Sequence, residues 1–122
     1  MQKKILIIDH DQDTVDILIY LFGDLGYAVT GFILIDIFTV LLIMPDLILM
    51  DTWLPGNIEG AICRQLKTDH RTQHIPIVLL STQANIPEIA NYCLADGYVG
   101  KPFELEHICK VVSDLQVLDL LI

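Results

Sequence analysis

Four short apolar runs of strand length each end on a residue whose side chain can take part in a reaction. These residues are Asp9, Asp51, Ser81 and Lys101. If the runs are parallel strands of one sheet, their carboxyl ends meet at one edge, where open α/β sheets bind their ligands. The four residues would then form an acidic metal pocket with a nucleophilic carboxylate, a hydroxyl and an ammonium group.

The elements that must position these residues alternate between strand-like and helix-like segments. Strands are predicted at Lys4–Ile8, Tyr27–Phe32, Leu47–Met50, Pro76–Leu80 and Tyr98–Gly100. Helices are predicted at Asp11–Leu25, Ile35–Ile43, from Asn57 or Glu59 to Lys67, Ile86–Leu94 and Glu104–Leu115, with Asp11 or Asp13 capping the first helix and Gly26 ending it. Continuous apolar strands separated by helices indicate a parallel sheet that is covered on both faces. The sequence therefore predicts a doubly wound, five-stranded α/β domain.

Composition limits the classes of function. A length of 122 residues suits one domain, here residues 1–122, and 53% hydrophobic residues suffice for a full core. The net charge of −9 argues against direct nucleic-acid binding, which needs a basic surface. The spacing of the three cysteines fits neither a disulfide framework nor a zinc site. The N-terminus lacks signal-peptide features and the longest apolar region is interrupted by Asp36, Pro45 and Asp46, so we expect a cytoplasmic domain without membrane contact.

The motifs around the four residues resemble the receiver domain of two-component response regulators. They are Asp9 after an apolar run, Pro45-Asp46-Leu47-Ile48-Leu49-Met50-Asp51 with Leu54-Pro55-Gly56, Ser81, and Gly97-Tyr98-Val99-Gly100-Lys101-Pro102-Phe103. The likeness covers essentially the whole chain. It implies a CheY-like, flavodoxin-like fold with strand order 2-1-3-4-5, in which a histidine kinase or phosphotransfer protein passes a phosphoryl group to Asp51.

The resemblance also implies a role for each neighbour of Asp51. Mg²⁺ would be held by Asp9, Asp51 and the backbone carbonyl of Trp53, since this ion prefers oxygen ligands. Lys101 would act as a point charge on the phosphoryl group, and it would form a salt bridge with Asp51 at rest. Ser81 would donate its hydroxyl to a phosphoryl oxygen. The bond between Lys101 and Pro102 is expected to be cis.

A switch and an output surface are also expected from the resemblance. Ser81 would move towards the phosphoryl group, and Tyr98 would turn into the space that Ser81 leaves. The surface of the last two helices and the strand between them would then act on an effector or a covalently linked output domain. Such a module catalyses its own phosphorylation without being a turnover enzyme. The apolar residues 115–122 continue the last helix, form a docking or homodimer surface, or mark the edge of a longer protein.

His10 departs from the family pattern, which has a second acid at this position. Imidazole suits zinc, copper, nickel or iron better than Mg²⁺, and three interpretations follow. In the first, His10 swings away, and Asp9 and Asp51 together bind Mg²⁺ weakly. In the second, Asp11 takes the place of the second acid. Alternatively, the domain is a pseudo-receiver that docks other proteins independently of phosphorylation.

Two further classes fit the sequence less well. A phosphohydrolase with an aspartate nucleophile usually has an acid two residues later, where this chain has Trp53. A flavin-binding domain needs a phosphate-binding loop after the first strand, and the residues that follow Asp9 do not provide one.

Overall fold

The computed structural model of the chain describes residues 2–33, 36–53 and 60–120, with side chains as far as residue 116. Five strands and five helices alternate along this part of the chain. The strands are β1 (Lys4–Ile8), β2 (Ala28–Phe32), β3 (Leu47–Asp51), β4 (Ile77–Ser81) and β5 (Gly97–Gly100). The helices are α1 (Gln12–Asp24), α2 (Ile37–Ile43), α3 (Ala61–Thr68), α4 (Ile86–Cys93) and α5 (Leu105–Leu120).

The strands form one parallel sheet in the order β2-β1-β3-β4-β5, which confirms the predicted strand order. Ile8 pairs with Met50 across β1 and β3, and Asp51 pairs with Leu80 across β3 and β4. Ser81 pairs with Gly100 at the end of β4 and β5. This register brings the carboxyl ends of β1, β3, β4 and β5 to the same edge.

Both faces of the sheet are covered by helices. Since alternate residues of a strand point to opposite faces, each buried strand contributes apolar side chains to two cores. One core contains Ile5, Ile7, Leu47, Leu49, Val78 and Leu80 with apolar residues of α1 and α5. The other contains Leu6, Ile8, Ile48, Met50, Ile77 and Leu79 with apolar residues of α2, α3 and α4. The central strands β1, β3 and β4 are therefore buried on both faces, as the doubly wound prediction requires.

The helix ends refine the prediction. Asp11, rather than Asp13, caps α1 and accepts a hydrogen bond from the Asp13 amide. α3 begins at Ala61, whereas the predicted starts at Asn57 and Glu59 lie outside the described residues. α5 continues to Leu120, beyond the predicted end at Leu115. This agrees with the expectation that the apolar C-terminal segment extends the last helix.

None of the described helices is both long enough and apolar enough to cross a membrane.

Candidate functional site

Four adjacent strand ends form a small cavity at the carboxyl edge of the sheet. Asp51 and Ser81 are the last residues of β3 and β4, while Asp9 and Lys101 follow β1 and β5 directly. The cavity has a volume of about 200 Å³ and is lined by His10, Asp51, Thr52, Trp53, Ser81, Thr82, Gln83 and Lys101. The sheet thus brings together the side chains that the sequence had placed at one edge.

Asp51 presents one of its carboxylate oxygens to the cavity. Its side chain is 4% exposed, and Oδ1 accepts a hydrogen bond of 3.1 Å from the backbone amide of Trp53. Oδ2 lies 3.5 Å from the ammonium nitrogen of Lys101 and also contacts Nδ1 of His10. Oδ1 is therefore occupied in orienting the carboxylate, and Oδ2 is the oxygen that faces the cationic side chains.

Lys101 pairs more closely with Asp9 than with Asp51. Its ammonium nitrogen donates a hydrogen bond of 2.7 Å to Oδ2 of Asp9, which is completely buried. Burial raises the pKa of Asp9, and the hydrogen bonds from Lys101 and from the Asp11 amide oppose that rise. The expected salt bridge between Lys101 and Asp51 is present, but as the longer of two contacts. The peptide bond between Lys101 and Pro102 is cis, as the resemblance implied.

Ser81 is buried at the tip of β4, and its hydroxyl oxygen accepts a hydrogen bond of 2.9 Å from the Gln83 amide. The Lys101 amide donates a hydrogen bond of 2.7 Å to the Ser81 carbonyl, which ties β5 to β4 at the cavity. The hydroxyl of Ser81 can still act as a donor, because in this hydrogen bond it is the acceptor. Sequence reasoning missed Thr52, Thr82 and Gln83, which line the cavity because they follow the strand tips directly.

His10 points into the cavity and does not swing away from it. Besides its contact with Asp51, its Nδ1 lies 3.7 Å from Oδ1 of Asp9. The ring packs edge-on against Trp53, with 4.6 Å between the ring centroids. His10 therefore lies inside the cavity in this conformation, and its movement away from Asp51 when Mg²⁺ binds stays a prediction.

Asp11 does not replace a missing acid in the cavity. Its carboxylate caps α1, where it accepts hydrogen bonds from the Asp13 amide and the Thr14 hydroxyl. These hydrogen bonds lower the pKa of Asp11, the one from Thr14 most. Tyr98 lies on β5 outside the cavity and is 45% exposed. It thus occupies the outward position from which the predicted switch would begin.

Comparison with known proteins decides which family has this arrangement. The family model for the response regulator receiver domain matches residues 5–113. The chain belongs to the response regulator receiver domains. The matched range spans all the residues that line the cavity.

Relatives of this receiver domain are found among both sequences and structures. It is 35% identical over 118 residues to the DNA-binding dual master transcriptional regulator RpaA of Synechocystis sp., covering 92% of this chain and 48% of RpaA. DrrB of Thermotoga maritima superposes with a TM-score of 0.85 at 23% identity, covering 98% of this chain and 54% of DrrB. The chemotaxis protein CheY4 of Vibrio cholerae gives 0.79 at 20% identity, covering 93% of this chain and 98% of CheY4. The receiver domain spans about half the length of RpaA.

Receiver domains typically use Mg²⁺, and the ligands of this one fit that ion only in part. Asp9 and Asp51 offer carboxylate oxygens, which suit a hard divalent cation. The third group is the imidazole of His10, whose nitrogen suits softer metals. The side chains of Asp9, His10 and Asp51 offer ligand atoms that all lie within 4.8 Å of one another. The cluster can therefore hold a divalent cation, but its ligands are not the all-oxygen set that Mg²⁺ prefers.

Proposed function

We propose that this receiver domain accepts a phosphoryl group on Asp51 from the phosphohistidine of a histidine kinase or phosphotransfer protein. The observation that carries the proposal is the position of Asp51 Oδ2. This oxygen faces a cavity at the edge of the sheet and lies 3.5 Å from the ammonium nitrogen of Lys101. A carboxylate is a weak nucleophile, and it needs adjacent cations to offset the charge of an incoming phosphoryl group.

In the proposed reaction, Oδ2 of Asp51 attacks the phosphorus atom while the bond from phosphorus to the donor imidazole nitrogen breaks. The electron pair of that bond remains on the donor nitrogen, and the product is an aspartyl phosphate. Phosphoryl transfer depends mainly on positioning and on stabilising charge at the phosphoryl oxygens. Lys101 and the hydroxyl of Ser81 are the groups in this chain that we assign to those oxygens. A divalent cation held by Asp9 and Asp51, with the Trp53 carbonyl as a further candidate ligand, would offset more of the charge.

His10 must release Asp51 before the transfer, because Nδ1 contacts the oxygen that would act as nucleophile. The ring is 39% exposed, so it has room to rotate towards solvent. We therefore expect slow phosphorylation relative to a variant with a carboxylate at this position. The His10→Asp variant provides that comparison.

The output of the domain would be a change in the surface formed by α4, β5 and α5. A phosphoryl group on Asp51 would draw the Ser81 hydroxyl towards it, and Tyr98 would turn inwards. We infer that this surface acts on a separate effector or on a covalently linked output domain, and that it can also pair two receiver domains. In this role the domain is a cytoplasmic signalling module that catalyses part of its own phosphorylation, rather than a turnover enzyme.

The proposal is tested by incubating the protein with acetyl phosphate and a divalent cation, with Mg²⁺ and Mn²⁺ used in turn. Intact-mass measurement should show one phosphoryl adduct, and Asp51→Asn should lack it. If the protein gains no adduct with any cation while His10→Asp does, the phosphoacceptor function is wrong for the natural chain. The pseudo-receiver would then be the better description.

A further inference from the structure

The imidazole of His10 occupies the position in the cavity where a receiver domain would present a second acidic ligand. Its Nδ1, a carboxylate oxygen of Asp9 and a carboxylate oxygen of Asp51 lie within 4.8 Å of one another. Two ligand atoms on opposite sides of an ion, each about 2.1 Å from it, are about 4.2 Å apart. Small side-chain rotations therefore bring all three atoms onto one ion.

The surroundings hold these three groups in orientations that suit a shared ion. Oδ2 of Asp9 is engaged by Lys101, while Oδ1 lies 3.7 Å from Nδ1 of His10. Oδ1 also accepts a hydrogen bond of 2.9 Å from the Asp11 amide, and its second lone pair can bind an ion. Oδ1 of Asp51 is engaged by the Trp53 amide, which leaves Oδ2 on the side of His10. The ring of Trp53 packs edge-on against the imidazole. Each ligand residue thus has one neighbour that fixes it and one atom that points at the common centre.

The nitrogen ligand among these groups does not suit Mg²⁺, the cation that receiver domains typically use. Mg²⁺ requires a nearly octahedral shell of oxygen atoms, and it rarely takes nitrogen. First-row transition metals bind imidazole and carboxylate together, and the affinity rises from manganese to copper. Two carboxylates and one imidazole on one face of an ion are ligands for that class of metal.

We propose that this cavity binds a divalent transition-metal ion of the class of Mn²⁺, Co²⁺ or Zn²⁺ through Asp9, Asp51 and His10, in preference to Mg²⁺. The use of that ion in phosphorylation rests on the proposed function, whereas its binding rests on ligand type and geometry. Nδ1 of His10 cannot bind an ion and keep its contact with Asp51. Metal binding and release of the Asp51 oxygen from His10 are therefore linked.

The proposal is tested by calorimetric titration of the protein with Zn²⁺ and with Mg²⁺ at constant pH. Most mixed sites bind zinc more tightly than magnesium, so the informative quantity is how a substitution changes the ratio of the two dissociation constants. In His10→Asp this preference for zinc should fall by about tenfold or more. His107→Asp makes the same change at an exposed position in the first turn of α5 and should leave the ratio unchanged.

Ligand identity is checked by NMR of the histidine ring nitrogens during the zinc titration. The nitrogen signals of His10 should shift with one equivalent of zinc, and those of His107 should not. An unchanged ratio in His10→Asp, or a shift confined to other histidines, overturns the proposal. The result is separate from the phosphorylation test, since zinc binding through His10 can be found with or without a phosphoryl adduct on Asp51.

Discussion

At the scale of single residues, Asp51 differs from Asp11 in what surrounds its two carboxylate oxygens. One oxygen is fixed by the Trp53 amide, and the other faces Lys101 and His10. Asp11 has an equally well-ordered carboxylate, but hydrogen bonds within the first turn of α1 use it as a cap. The surroundings, and not the residue type alone, make Asp51 the candidate nucleophile.

The sequence predicted these site residues because each one ends an apolar run, and parallel strands align such ends. It could not predict that Lys101 lies closer to Asp9 than to Asp51, or that His10 turns inwards. Those features depend on side-chain rotamers that are set by neighbours distant in sequence, such as Asp51 and Trp53 for His10.

Lys101→Gln should reduce the rate of phosphorylation of Asp51 by about 100-fold, because it removes the ammonium group that faces the incoming charge. Time courses of intact mass with acetyl phosphate measure this rate. Lys110→Gln is the matched control, since Lys110 forms an exposed ion pair with Asp114 within α5. An equal loss of rate in both variants would mean that Lys101 has no special role.

The pKa of Asp9 predicts how its substitution changes stability with pH. Because burial raises this pKa in the folded protein, the folded state binds the proton more tightly than the unfolded state. The resulting stability is present below the ordinary aspartate pKa of about 3.9, and it is lost as the pH rises through the folded value. Asp9→Asn avoids this loss. Its urea midpoint, relative to that of the natural protein, should therefore rise as the pH increases above about 4.

Asp11→Asn is the control, because its urea midpoint should change with pH in the opposite direction. Hydrogen bonds lower the pKa of Asp11, so its ionised form adds stability above the ordinary aspartate pKa, and that stability is lost as the pH falls through the lowered value. The midpoint of Asp11→Asn relative to that of the natural protein should therefore decrease as the pH rises towards the ordinary aspartate pKa of about 3.9, and it should stay constant above that pH. If both variants respond to pH in the same direction, the assignment of a raised pKa to Asp9 is wrong.

At the scale of elements, the site depends on strands that the sequence predicted almost to the residue. β1, β3 and β4 are continuous apolar runs, and each run stops at a polar residue that belongs to the site. The beginning of α3 was harder to predict, because Gly60 precedes it in a left-handed conformation with φ of 74°. Such a conformation follows from the contact between α3 and α4 and leaves little trace in periodicity.

Gly60→Ala should lower the free energy of unfolding by about 2 kcal/mol or more. A β-carbon there would lie 2.0 Å from the sulfur of Cys93 on α4, and the positive φ would also strain alanine. Gly23→Ala is the matched control in α1, where a β-carbon meets no atom within 4 Å. It should raise the free energy of unfolding by up to about 1 kcal/mol. Urea denaturation of both variants measures the difference, and equal effects would contradict the predicted clash.

At the scale of the whole molecule, one sheet carries the site at its carboxyl edge, and the proposed output surface of α4, β5 and α5 lies at the β5 end of that sheet. Both cores are closed by buried apolar residues from strands and helices, so a rearrangement is most easily accommodated at exposed positions such as Tyr98. The doubly wound architecture followed from the alternation of apolar strands and helices. The order of the strands followed only from the family resemblance, because periodicity does not say which strands are neighbours.

Phosphorylation should make Tyr98 less accessible to hydroxyl-radical labelling, because the proposed switch turns it inwards. Tyr20 on α1 is 78% exposed and lies outside the proposed output surface, so its labelling should stay constant. Ser81→Ala should weaken the change at Tyr98, since the hydroxyl that couples the site to this surface is removed. If Tyr98 is labelled equally before and after phosphorylation, the signal leaves the domain by another route.

The central claim is that Asp51 accepts the phosphoryl group, and chemical mapping of the modified residue tests it most directly. Borohydride reduces an aspartyl phosphate to homoserine, which peptide mass spectrometry then assigns to one position. After incubation with a phosphodonor and a divalent cation, we expect homoserine at position 51 of the natural chain and no homoserine in Asp51→Asn. Asp24→Asn, which changes an exposed aspartate at the end of α1, should behave like the natural chain. Homoserine at another aspartate, or none with any cation tested, would contradict the claim.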